Sequence, residues 1–198
     1  MLPINLNSII DAKTNNKICI GKNVFKNTLN WQDFYKIFLM AYMKKRIDFI
    51  SFASMNIDRC DDLGENFNPI IKKLSEIHPG KYISVLSIIH MISKNNIIIE
   101  NEYYEKFYKN FIKVNPNKKP GAENIDDPFT PTIHKDEVDG FFIQCEGQTK
   151  WNIYYQEIPE THILDKGDLI FIPHGISHSV LSLSPRAALS ISFSDGDE

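Results

Sequence analysis

The spacing of hydrophobic and polar positions changes character near residue 130. Before it, apolar residues recur at helical intervals: Trp31, Phe34, Ile37, Phe38 and Tyr42 lie three and four residues apart. That spacing predicts an amphipathic helix, with Asn30 as its cap. Ile47–Ala53 reads as a strand. Asn68-Pro69 opens a helix over Pro69–Ile77, stopped by Pro79-Gly80. Lys81–Ser93 reads as a strand before a turn at Asn95-Asn96, and the aromatic-rich Glu100–Val114 as a helix. Residues 1–30 are polar and mixed. Asn115–Thr132, with four prolines, one glycine and three acidic residues, reads as a functional loop.

After residue 130 the apolar runs become short. Phe141–Cys145, Trp151–Tyr155, Leu169–Ile172, Ser179–Leu183 and Ala188–Phe193 are predicted strands, separated by Gly147, Gly167, Pro173-His174-Gly175 and Ser184-Pro185. Short strands at this spacing point to a sandwich or barrel. The expected class is mainly β (α+β). A β-half of about 65 residues would bury too little alone. Residues 1–198 are therefore read as one domain, with a helix-containing part over 1–115 and a β-core over 116–198.

Composition narrows the function classes. Net charge is -3 and Lys and Arg are scattered, which argues against a nucleic-acid partner. No apolar run approaches the length of a membrane span, and no secretory signal is read at the N-terminus. The three cysteines, Cys19, Cys60 and Cys145, are far apart, without a CxxC pair. Free thiols in a reducing, cytoplasmic setting are expected.

Two segments carry chemistry. His134-Lys135-Asp136 places an imidazole and a carboxylate two residues apart, hence on one face of a strand. Gly167-x5-Pro173-x-Gly175-x2-His178 ends in a second imidazole after a turn. Two histidines and one carboxylate can hold one face of an octahedral metal, leaving the remaining positions open. His134, Asp136 and His178 are the candidate metal ligands and catalytic centre.

The second segment resembles the second cupin motif up to His178, with Ser182 at its final Asn position. The first has the total spacing of the other cupin motif, with Asp136 replacing its second His and Gly140 at its Glu position. His-x-Asp resembles the JmjC-type branch. The series His134, Asp136, Asp139, Phe141, Gln144, Gly147 and Trp151 is similar to the ribosomal-oxygenase subgroup of JmjC hydroxylases. The matching motifs span about residues 130–194. The resemblance implies a double-stranded β-helix (cupin/jelly-roll) core with an N-terminal helical elaboration. It implies Fe(II), with dioxygen and 2-oxoglutarate as co-substrates. In such enzymes oxidative decarboxylation of 2-oxoglutarate to succinate and carbon dioxide drives hydroxylation, here of a protein side chain or a small molecule. Homodimerisation is left open.

The chain departs from that family where 2-oxoglutarate is anchored. The usual Lys or Arg two residues after the motif glycine is Thr149 here. Lys150 follows, on the opposite face by strand alternation unless a bulge intervenes. Arg186 lies eight residues after His178, at the start of the last strand, and offers a second cation. Lys150 and Arg186 rank equally as anchors. Thr149 is a hydroxyl contact, and Thr132, which shares the facing of His134, completes the co-substrate candidates. His174 reads as a mouth residue. Asp139 and Gln144 read as pocket-lining groups or as plain turn and strand residues, and Trp151 as core. His78, His90 and His162 read as ordinary residues. Thr149 also supports another class, a cupin module that binds a metal or ligand without turnover. A third reading is a metal-using cupin enzyme that ignores 2-oxoglutarate.

Overall fold

A computed structural model describes residues 6–43, 47–48, 53–56, 68–90, 97, 99–114 and 132–194. Among the described residues, four helices and ten strands follow in chain order: α1 Leu6–Thr14, β1 Cys19–Gly21, α2 Trp31–Met43, β2 Ile47–Asp48, β3 Ala53–Asn56, α3 Asn68–Ile77, β4 Tyr82–His90, α4 Glu102–Val114, β5 Asp139–Glu146, β6 Thr149–Tyr154, β7 Glu160–Leu164, β8 Leu169–Ile172, β9 Ser177–Ser182 and β10 Arg186–Ser194. The loop expected over Asn115–Thr132 lies outside the described residues except at Thr132. The strand expected over Ile47–Ala53 corresponds to β2 and the start of β3, with 49–52 also outside them.

The strands form a seven-stranded sheet, ordered β1-β8-β5-β10-β4-β3-β2, and a three-stranded sheet, β7-β6-β9. Their pairings are antiparallel. This is the jelly-roll core expected of a cupin. Strands β1 to β4, from the helical front part, extend the large sheet on both edges. β4 pairs with β10 over nine residues, from Arg186↔His90 to Ser194↔Tyr82.

Strand alternation divides the interior into two layers. Phe141, Ile143 and Cys145 of β5, with Leu169 and Phe171 of β8, join Leu189, Ile191 and Phe193 of β10 against the helices. The intervening residues turn the other way. Ile170 and Ile172 pack with Trp151, Ile153, Leu164 and Ile176 between the two sheets, flanked by Phe142 and Val180. β8 is buried on both faces, which explains its uninterrupted Leu-Ile-Phe-Ile run.

The helices cover the outer face of the large sheet. Asn30 caps α2, its Oδ1 accepting the Gln32 and Asp33 amides at 2.9 and 3.2 Å. Asn101 does the same for α4 through Tyr103 and Tyr104. The aromatic residues of α4 pack on α2: Phe107 meets Phe38 with ring centroids 4.6 Å apart, and Tyr104 meets Trp31 edge-on at 5.1 Å. This face is helix packing, as its spacing suggests.

Candidate metal centre

His134 and His178 come together through the backbone. They form an isolated antiparallel bridge, each amide donating to the other's carbonyl at 2.9 Å. Their rings lie side by side, centroids 4.3 Å apart. Asp136 follows two residues after His134, and its carbonyl accepts the Gly175 amide at 2.9 Å. That bond ties the Asp136 segment to the Pro173-His174-Gly175 turn before His178. A ligand atom from each of His134, Asp136 and His178 lies within 4.8 Å of the others.

The rings are held for coordination. His134 Nδ1 donates to the Thr132 carbonyl at 3.1 Å, and His178 Nδ1 to the Ile176 carbonyl at 3.0 Å. A carbonyl only accepts, so the proton sits on Nδ1 and the Nε2 lone pair is left for an electrophile. Both Nε2 atoms face the same carboxylate: His134 Nε2 is 4.0 Å from Asp136 Oδ1, and His178 Nε2 is 3.7 Å from Asp136 Oδ2. Two neutral nitrogens and one anionic oxygen converging on one point are the donor set of a divalent transition metal. Burial lowers the pKa of His178; the Ile176 carbonyl and Asp136 oppose this, and His134 adds to it. A neutral imidazole is the form that binds metal.

The surroundings are graded. His178 is buried, whereas His134 is half exposed, so the centre opens on the His134 side. On the inner side Trp151 stacks on His178 with centroids 5.7 Å apart, and Phe142 lies 4.9 Å from Trp151. Trp151 is thus both core and wall. Asp139, largely buried, accepts the His174 amide at 2.9 Å and pairs with Lys13 at 2.9 Å. Its role is to hold the turn beneath His178.

The co-substrate candidates separate. Thr132 meets the site through its backbone carbonyl. Lys150 occupies the half-exposed outer face of β6, opposite the inward row Thr149, Trp151 and Ile153. Thr149 is fully buried, and its hydroxyl is engaged twice, accepting from Trp151 Nε1 at 3.0 Å and donating to Gln144 Oε1 at 3.1 Å. Arg186 is buried between the sheets, where its Nε donates to Ser182 Oγ at 3.1 Å. Ser182 Oγ also lies 2.7 Å from Nδ1 of His90. Sequence reading passed over His90, since its place beside Ser182 depends on β4 pairing with β10 across nearly a hundred residues. The only available signal was Ser182 itself, the variant residue at the end of the cupin motif. His162 sits 2.8 Å from Glu160 on β7 and is the register partner of Trp151.

Comparison with known proteins follows the same outline. The JmjC domain family matches residues 124–196. The solved structure of YcfD, a ribosomal oxygenase from Escherichia coli, in complex with cobalt and succinic acid, superposes with a TM-score of 0.60 at 14% identity. It covers 100% of this chain and 53% of that one. The same enzyme with cobalt and 2-oxoglutarate gives 0.60 at 13% identity, with the same coverage. The chain spans about half the length of these proteins, and at such identity the likeness speaks for the fold. No curated protein matches by sequence. The motif residues, the family match over residues 124–196 and the jelly-roll topology of the described strands agree on a cupin-type fold similar to that of JmjC domains.

Proposed function

We propose that this protein is an Fe(II)- and 2-oxoglutarate-dependent dioxygenase that hydroxylates a protein side chain or a small molecule. The observation that carries the reading is the convergence of the His134, Asp136 and His178 ligand atoms within 4.8 Å of one another. Cobalt and 2-oxoglutarate in the Escherichia coli ribosomal oxygenase support the choice of metal class and co-substrate.

The donor set fits Fe(II): two neutral nitrogens with fixed tautomers and one carboxylate, on one side only. Fe(II) held by His134, Asp136 and His178 would supply the redox chemistry by which dioxygen and 2-oxoglutarate give succinate, carbon dioxide and a hydroxylated substrate C–H position. The protein supplies position and environment. His134, Asp136 and His178 hold the metal. Trp151, Phe142 and Val180 keep the inner side dry. Arg186 takes the distal carboxylate, because it is the basic candidate that is buried between the sheets, whereas Lys150 lies on the outer face. The exposed His134 side is left for the substrate.

One observation favours the alternative of a cupin module that binds metal without 2-oxoglutarate turnover: the family's basic position is Thr149, whose hydroxyl is already engaged twice. Anaerobic titration of the Fe(II)-loaded protein with 2-oxoglutarate separates the readings. A saturable visible charge-transfer band is expected, together with loss of Fe(II) binding in His134→Ala, Asp136→Ala and His178→Ala. Iron binding without a band would overturn the 2-oxoglutarate reading. Tight Fe(II) binding retained in all three variants would overturn the site.

A further inference from the structure

The buried floor between the two sheets holds a polar arrangement of which the motifs contain only Ser182. Arg186 and His90 are register partners on β10 and β4, in the large sheet. Ser182 belongs to β9, in the small sheet, and bridges to both: Arg186 Nε donates to its Oγ at 3.1 Å, and His90 Nδ1 lies 2.7 Å from the same atom. All three residues are buried. Ser182 is also the register partner of Thr149. Adjacent strands lie about 4.8 Å apart, so this link holds the guanidinium one strand away from the position where a basic residue is expected. His178 and Ser182 face the same way on β9, four residues or about 13 Å apart along the strand. A dicarboxylate and an Arg side chain can share that span.

Resting on the function proposed above, we propose that Ser182 and His90 are positioning residues that aim Arg186 at the distal carboxylate of the co-substrate. They replace the missing cation on β6 with one delivered from β10. The hydroxyl accepts from Arg186 Nε, so its own proton goes to His90 Nδ1, in the tautomer that carries hydrogen on Nε2. A neutral imidazole is required, and burial, with Arg186 adding, lowers the pKa of His90 well below its ordinary value. Fixing Nε in this way presents the Nη edge to a carboxylate in the bidentate arrangement that planar guanidinium favours.

The test compares two ligands of the anaerobic Fe(II) protein: 2-oxoglutarate, and 2-oxobutyrate, which keeps the chelating 2-oxo acid and lacks the distal carboxylate. Ser182→Ala and His90→Phe should each weaken 2-oxoglutarate binding about tenfold, the size of losing a hydrogen bond to a charged group. Fe(II) and 2-oxobutyrate affinities should be unchanged. Ser182→Thr keeps the hydroxyl and His90→Asn keeps an acceptor near Nδ1, so both should bind 2-oxoglutarate nearly as wild type. Equal losses for the two acids would mark a merely structural role and overturn the inference, as would wild-type affinity in Ser182→Ala. Failure of the wild type itself to bind 2-oxoglutarate would overturn the proposed function along with it.

Discussion

Arg186 and Lys150 show how a single strand position decides chemistry. Sequence ranked them equally, because strand alternation gives a residue's facing only once the strand's register is known. The structure puts Lys150 on the outer face of β6 and Arg186 inside. Arg186→Ala should therefore weaken 2-oxoglutarate binding by about a hundredfold, as expected for truncating one partner of a buried charge-assisted pair. Lys150→Ala should leave it unchanged; the reverse order in the same titration would transfer the anchor to Lys150. Gly147 is a second position where one residue matters. It closes the β5–β6 connection at φ +75°, and an added Cβ would run into the Pro185 carbonyl and the Ser184 hydroxyl. Gly147→Ala should cost at least about 2 kcal/mol in urea unfolding, from left-handed backbone strain and the collision together. A cost below about 0.5 kcal/mol would show that the turn relaxes freely.

Among the elements, legibility followed length and contrast. β8 matches its predicted bounds, Leu169–Ile172, because an all-apolar run between Gly167 and Pro173 has sharp edges. α2 and α4 stood out through their aromatic spacing and their Asn caps. Three elements were missed. α1 buries only Ile9 and Ala12 among the side chains described, while Ile10 is exposed, too little for a period to show. β1 is three residues long and exists by pairing with β8. β7, Glu-Thr-His-Ile-Leu, exposes its polar start and owes its strand state to β6. The candidate metal ligands were readable because a spacing of two puts His134 and Asp136 on one face of an extended segment. The Ser182–His90 contact was not, since it arises from tertiary pairing. The α2–α4 pair packs on the outer face of the large sheet, whereas the candidate metal centre adjoins the layer between the sheets, and this division can be tested. Phe107 is fully buried against Phe38. Phe107→Leu should lower unfolding free energy by about 1–2 kcal/mol while leaving Fe(II) affinity intact. A parallel loss of metal affinity would mean that the two layers are coupled.

At the scale of the whole molecule, the front part and the β-core share one sheet, and two buried histidines stand at their junction. His90 ends β4 beside Arg186. His78 follows α3, meets the Phe193 ring edge-on with centroids 4.3 Å apart, and lies 3.5 Å from Asp139 Oδ2. The His78 pKa is lowered from 6.5 to about 4, by burial first and then by Lys13 and Lys81, with Asp139 opposing. His90 is shifted the same way by burial and Arg186. Both are neutral in the fold at neutral pH, whereas in the unfolded chain they take up protons near pH 6.5. Between pH 6.5 and about 4 the unfolded state therefore binds more protons, and stability falls as pH falls. The stabilisation is fully present above pH 6.5 and lost progressively as pH approaches 4. Asp139 acts at lower pH: burial raises its pKa, but the His174 amide and Lys13 outweigh this and hold it below the usual carboxylate value. Its stabilisation is therefore lost below about pH 4. Urea unfolding of the metal-free protein at pH 7.5 and pH 4.5 isolates the histidine window. The wild type should lose more stability between these two pH values than His78→Gln, by on the order of 2 kcal/mol. Equal losses in the two proteins would mean that His78 is not held neutral at the junction and that acid acts on the fold through other groups.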